Sequence, residues 1–298
     1  MVARGASSLL LAAGRRHSLG VLADGTVVAA GDGTANECAV QGWRDVVAVA
    51  AGNVHAARNT GRSHSLALRS DGTVLATGWD ADGQCQLGQW RDVVAVAAGW
   101  RRSFGLLADG RVLAAGRTAE SACDVRPWRE VVAVAAGDWH TVAVRADGTA
   151  VATGVGRFGQ CAVQGWRDLV GVAAGYLHTV GLGSDGTVVS AGRSDAGACD
   201  VAGWSDVVAV AAGSHHTIGL ASDGSVRAAG ANDQGQCAVN GWRDVVQISA
   251  GAVHTLGLRA DGTVLAAGDD SHGQCAIVGW ALQESIPWGP VTPQRRPG

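Results

Sequence analysis

The sequence predicts an all-β chain, a seven-bladed β-propeller of four-stranded antiparallel blades, and three observations predict it. The dipeptide Asp-Gly recurs at Asp24, Asp71, Asp109, Asp147, Asp185, Asp223 and Asp261, spaced by 47 residues once and by 38 thereafter. All seven cysteines keep the same register, at Cys38, Cys85, Cys123, Cys161, Cys199, Cys237 and Cys275. A tryptophan stands five residues after each, at Trp43, Trp90, Trp128, Trp166, Trp204, Trp242 and Trp280. A period of this length, rich in Gly and in alternating apolar residues, is that of a propeller blade.

The fifth unit shows the elements in order. Leu169 to Gly175 (LVGVAAG) reads as strand A, His178 to Leu182 as strand B, Thr187 to Gly192 as strand C and Cys199 to Trp204 as strand D. Asp185-Gly186 joins B to C as a tight hairpin turn in which Gly takes a positive φ. Strand A has small or polar residues at alternate positions, such as Ala48 and Ala50, Gly171 and Ala173, or Gln247 and Ser249. That suits the innermost strand beside a narrow central channel. With A up and B down, the A–B and C–D loops share one face, the top, and the Asp-Gly turns and D–A junctions share the bottom. The propeller is expected over residues 1–280, with an insertion near 53–63 and a Pro-rich tail over 281–298. The order A-B-C-D leaves no blade shared between the termini, so closure is expected from packing between blades one and seven. His55 and His64 compete for the repeat position beside the insertion.

Composition narrows the function classes. The net charge of −3 argues against a nucleic-acid partner held by bulk charge. All 23 basic residues are Arg, so Schiff-base chemistry and a phosphate-loop lysine are excluded. No stretch has the length of a membrane-spanning helix. Leu9 to Ala13 resembles the apolar part of a leader but aligns with strand A of the repeat. One Cys per blade spreads the thiols around a ring, too far apart for a disulfide or a shared metal, so neither is expected. Seven free, buried thiols fit a reducing compartment such as the cytoplasm. No cofactor is expected, because no cofactor motif is present.

The unit Ala173-Ala174-Gly175-x-x-His178-Thr179, followed by Asp185-Gly186-Thr187, with Gly159-Gln160-Cys161 in the preceding unit, resembles the regulator of chromosome condensation repeat family. The resemblance covers about residues 8 to 280 and implies a seven-bladed propeller. The short unit and its Gly-Gln-Cys element are most similar to a bacterial branch that includes a secreted propeller inhibitor of β-lactamase. Members also include a nucleotide exchange factor on chromatin and, more distantly, a plant UV-B photoreceptor. The photoreceptor senses light through Trp in a Gly-Trp-Arg-His-Thr motif. Gly99-Trp100-Arg101-Arg102-Ser103 stands nearest to it here, with Arg102 in place of the His.

Residues that break the repeat are the functional candidates. His17, His64, His140, His178, His216 and His254 begin strand B in six units and are expected to be structural, bonding loop backbone. Arg102 replaces that His in the third and is itself a binding candidate, expected on the top rim with the residues that follow. The two residues before this position vary, and with the C–D loops they place Arg15, Arg16, Arg62, Trp79, Trp100, Arg101, Trp139, Phe158, Tyr176 and His215 around the top rim. Arg interleaved with aromatics is the composition of a binding hot spot. Trp100, Arg101, Trp139 and Tyr176 are expected at its centre.

Two readings of function follow. The first is a non-catalytic scaffold that recognises a protein or peptide through the variable top-face loops. The alternative is a cofactor-independent enzyme working on a small molecule in the top-face cup of the channel. Its acids and bases would come from Asp80, Asp82, Glu120, Asp195, Asp233, Asp269, Asp270, His215 and His272. No nucleophile elbow or metal-binding pair is present, and the residues lean towards the binder.

Overall fold

The computed structural model describes residues 9–52, 55 and 62–282. It contains seven antiparallel sheets of three strands, one per unit. They are β1 (Leu11–Ala13), β2 (His17–Val21) and β3 (Val27–Gly31); β4 (Val46–Ala51), β5 (His64–Arg69) and β6 (Val74–Gly78); β7 (Val93–Gly99), β8 (Arg102–Leu107) and β9 (Val112–Gly116); β10 (Val131–Ala136), β11 (His140–Arg145) and β12 (Ala150–Gly154); β13 (Leu169–Ala174), β14 (His178–Gly183) and β15 (Val188–Gly192); β16 (Val207–Ala212), β17 (His216–Ala221) and β18 (Val226–Gly230); and β19 (Val245–Ala250), β20 (His254–Arg259) and β21 (Val264–Gly268). The first strand of every blade packs beside the first strand of the next, and β1 meets β19. Strand A is therefore innermost, and the ring is a closed propeller. No described helix is long and apolar enough to cross a membrane.

The expected fourth strand does not form. Over Gly159 to Trp166 the backbone closes on itself: Ala162 N–H bonds Gly159 O at 2.9 Å and Trp166 N–H bonds Val163 O at 3.0 Å. These local turns use the groups that a fourth strand would offer to its neighbour. The segment instead crosses to the next blade. Thr153 of blade four donates its hydroxyl to Ser121 O at 2.9 Å. A Cβ added to Gly105 of blade three would lie 2.8 Å from Trp90 Cε3. Five of the seven repeated Trp lie in this way on a strand-B glycine of the following blade, at Gly20, Gly105, Gly181, Gly219 and Gly257, whereas blades two and four have Ala67 and Ala143 at that position.

The same device closes the ring. Ser18 of blade one donates its hydroxyl to Gln274 O at 2.7 Å, and Gly20 faces the Trp280 ring. Leu282 bridges Leu22, the place that Val46 takes against Arg69 in blade two. The short β1 is completed by the far end of the chain, which corrects the expectation that the termini share no blade. Residues 283–298, within the expected tail, lie outside the described residues.

The bottom is as regular as the sequence suggests. Each B–C turn has an Asp carboxylate accepting from the residue two ahead, as Asp24 Oδ1 does from Thr26 N–H at 2.9 Å and from its hydroxyl at 2.6 Å. The Gly between them takes a positive φ, 77° at Gly25. The residue before strand A also takes a left-handed φ, 58° at Asp45, followed by a β-bulge between Val46 and Ala48. Asp enters that conformation more readily than most residues, in keeping with the recurrent Trp-Arg-Asp, and Glu130 takes the same φ, 58°, in blade four.

Candidate functional site

The repeat histidines are structural, through a different bond from the one expected. His17 Nε2 meets the Ser65 hydroxyl of the next blade at 2.9 Å, and that hydroxyl donates to Glu37 O at 2.7 Å. Since the hydroxyl's one proton is committed to the carbonyl, Nε2 must be the donor. The same relay joins His64 to Ser103, His140 to Thr179, His178 to Thr217, His216 to Thr255 and His254 to Ser18. Burial keeps these imidazoles neutral, lowering His17, His140 and His216 to about 3 and His64, His178 and His254 to about 4. His64 is therefore the repeat histidine, and His55 belongs to the insertion.

Blade three departs from this ring. Arg102, expected at the rim, is 0 % exposed. Its guanidinium donates to Asp138 O at 2.8 Å, to Arg117 O at 3.1 Å and to Glu120 Oε2 at 2.7 Å. Arg117 also pairs with Glu120, and the two guanidinium groups hold that carboxyl below its ordinary range against the effect of burial. Arg102 is a joint between blades three and four.

The expected centre divides into two clusters. In the first, Trp100 and Trp139 meet at 4.6 Å between centroids, and the Arg101 and Arg117 guanidiniums lie 5.0 and 5.3 Å from the Trp100 ring. Trp100 is 9 % exposed, so this ring is packed inside the rim instead of standing on it. Arg101 pairs with Asp82 at 3.4 Å. In the second cluster, His55 stacks on Tyr176 at 4.1 Å with planes 24° apart, and His215 meets Tyr176 edge-on at 5.3 Å. His55 comes from blade two and reaches over to blades four and five. Its backbone N–H and Nδ1 both bond Asp138 Oδ2, at 2.8 and 2.7 Å. Asp138 is wholly buried, and burial raises its carboxyl above the usual range.

The remaining candidates lie farther out. Phe158 is 37 % exposed, with Arg157 at 4.9 Å and Arg193 at 5.6 Å from its ring. Arg62 lies 5.1 Å from the Trp79 ring. Arg15 and Arg16 are half-buried, and Arg15 feels the charges of Asp32, Glu37 and Asp138. Asp138 and His55 were not selected as a pair from sequence. The signal available was that Asp138 is the one acid at its loop position, beside Arg15, Trp100, Tyr176, Ser214 and Ala252 in other units.

The cysteines are half-buried where full burial was expected. Each thiol lies beside a backbone carbonyl six residues earlier, as Cys123 does by Arg117 O at 3.2 Å. Burial raises all seven, Cys38 and Cys85 to about 12 and Cys237 and Cys275 to about 11, which suppresses the thiolate. Among the described residues no group of three or more His, Cys, Asp or Glu could hold a metal ion. A depression of about 260 Å³ on the bottom of blade five is lined by Arg167, Asp168, Ser184 and Asp185 among others, and by none of the candidates.

The model of the regulator of chromosome condensation (RCC1) repeat matches residues 59–84, 131–160, 207–236 and 245–274. No curated protein matches the chain. Among solved structures it is similar to Prp20p from Saccharomyces cerevisiae, with 19 % identity over 87 % of this chain and 82 % of that one at a TM-score of 0.63. Yeast RCC1 (Prp20) bound to Kap60 is also similar, with 18 % identity over 81 % and 74 % at a TM-score of 0.61. The CRINKLY ectodomain of the Arabidopsis thaliana receptor kinase ACR4 matches with 18 % identity over 88 % and 97 % at a TM-score of 0.66. Its repeats, its three-stranded blades and its closed ring make the chain a seven-bladed propeller, and four of its seven units match the regulator of chromosome condensation (RCC1) repeat.

Proposed function

We propose that the chain is a non-catalytic scaffold that binds a protein or peptide partner through its variable top-face loops. One observation carries this reading. On a frame that otherwise repeats, aromatic and Arg residues concentrate in the top loops of blades two to five, with Phe158 exposed between Arg157 and Arg193. Equivalent positions in blades six and seven are Ser214 and Ala252, so blade packing does not demand aromatics there. Arg and aromatic side chains supply contact area at low ordering cost. The similar yeast propellers are described bound to Kap60 and in relation to Gsp1p and histones, which supports the same use of the fold here. An enzymatic cup fits less well. Asp82, Glu120 and Asp195 are engaged by arginines, and His55 occupies the space over the inner loops of blades four and five.

The test is affinity capture from the native cell with the full chain. A triple variant, Trp139→Ala, Arg157→Ala and Phe158→Ala, is compared with Arg111→Ala in a bottom turn. Proteins retained by the wild type and by Arg111→Ala should be lost from the triple variant. Retention of the same set by all three would place the binding surface elsewhere.

A further inference from the structure

We propose that Asp138 and Tyr176 form a binding seat for an arginine side chain of a protein partner, and that His55 fills this seat in the free chain. The inference rests on the reading of the top face as a binding surface and names the chemistry of one subsite.

Three departures from the repeat converge here. The insertion of blade two supplies His55. Blade four supplies Asp138. Blade three supplies Arg102, which bonds the Asp138 backbone carbonyl and so fixes the loop that aims the carboxylate. The other blades close without any of the three.

The geometry selects the occupant. Asp138 Oδ2 accepts both His55 donors, while Oδ1 is buried and has no hydrogen-bond partner among the described residues. An imidazole and one amide serve a single oxygen. A guanidinium donates two parallel N–H bonds, one to each carboxylate oxygen, and would satisfy the atom that His55 leaves unpaired. Its plane would lie on Tyr176, where the His55 ring now stacks at 4.1 Å. An ammonium has no plane to stack and no fork to match the carboxylate.

The surrounding charges are compatible with this. Arg15 and Arg102 act on Asp138 from blades one and three, and His215 stands at the edge of Tyr176. Arg102 spends its donors on two carbonyls and Glu120, and none reaches the Asp138 carboxylate. Burial raises the Asp138 carboxyl against the lowering effect of His55 and, less, of Arg102.

Chemical rescue of the full-length chain tests the seat. His55→Ala vacates it, and ethylguanidinium, imidazole and ethylammonium are the probes. Ethylguanidinium should bind His55→Ala saturably and raise its Tm by about 2–4 °C at ten times its Kd. It should bind at least tenfold more tightly than ethylammonium. Wild type and His55→Ala/Asp138→Asn should show no saturable shift. If Asp138→Asn does not fold, Tyr176→Ala in the His55→Ala background replaces it and should weaken binding at least tenfold. The proposal is overturned if imidazole binds and ethylguanidinium does not, since the seat would then be a latch for the chain's own histidine. It is also overturned if no probe binds, or if the double variant binds as the single one does. Rescue needs no partner, so its failure leaves the capture result standing, and failed capture leaves a positive rescue standing.

Discussion

Six of the seven blade junctions differ in kind from the junction between blades three and four. At the six, a neutral histidine donates to the hydroxyl of the next blade, and that hydroxyl donates onward to a carbonyl. Every member is small, uncharged and buried, as His140 and Thr179 are. At the remaining one, Thr141 still donates to Ala122 O at 2.8 Å, but Arg102 has replaced the histidine and reaches past it to the Asp138 loop. The uncharged relay holds the ring; the charged junction positions a side chain. A repeat protein can spare one junction for this, because the strands of each blade pack on those of its neighbours and the other junctions keep the ring closed.

Acidification should break the six and spare the seventh, with the largest effect. An unfolded histidine takes its proton near pH 6.5, whereas the folded ring histidines take theirs near 3 or 4. Between those values the unfolded chain binds more protons, so stability is complete above about pH 6.5 and falls as the pH drops. The slope is about 1.4 kcal/mol per histidine per pH unit. The carboxyls of Asp138 and Glu37, both raised by burial, act in the opposite sense, two groups against six. Calorimetry at pH 7.5, 5.5 and 4.5 should show a steep loss of Tm; a constant Tm would mean that the histidines are charged or exposed.

Arg102→Met attacks the other junction. It strips Glu120 of one partner, leaves the Asp138 carbonyl without that donor, and leaves the Arg117 carbonyl with only the Cys123 thiol. Removing one member of a buried pair costs about 3–5 kcal/mol. Urea denaturation measures this, and a loss below 1 kcal/mol would show that the junction closes without the ion pair. Smaller and sharper is the contrast of Thr217→Val with Thr141→Val. The Thr217 hydroxyl joins His178 to Ala198 O, so its loss strands two groups, at about 1–3 kcal/mol. Thr141 serves one, and its loss should be the smaller of the two by the same denaturation. Equal losses would refute the relay. Phe158→Ala touches neither junction and should stay within about 0.5 kcal/mol of wild type in stability, while weakening partner capture.

The candidate site was legible in part. Phe158, Arg62 and Trp79 lie in top loops as read, because their positions follow from the repeat register alone. Trp100 stood in the same register yet is buried, because Trp139 and two arginines close over it. Arg102 was marked as the exception among the histidines, but its burial could not be read, since a lone Arg in a loop is ordinarily solvated. The fourth strand was misread because an alternating apolar pattern, Cys-x-Val-x-x-Trp, also suits a chain of turns that drops Val and Trp onto a neighbouring blade.

By itself the sequence determined the number of blades, their order, the Asp-Gly turns and the division between a uniform face and a variable one. These are local or periodic properties, and the seven copies state them seven times. Only the tertiary structure decided that Leu282 completes the first blade, that Ser18 receives His254, and that His55 crosses from blade two to Asp138. Such contacts join residues 83 to 260 positions apart. They occur once or follow from closure of the ring, and the chain carries no local pattern that marks them.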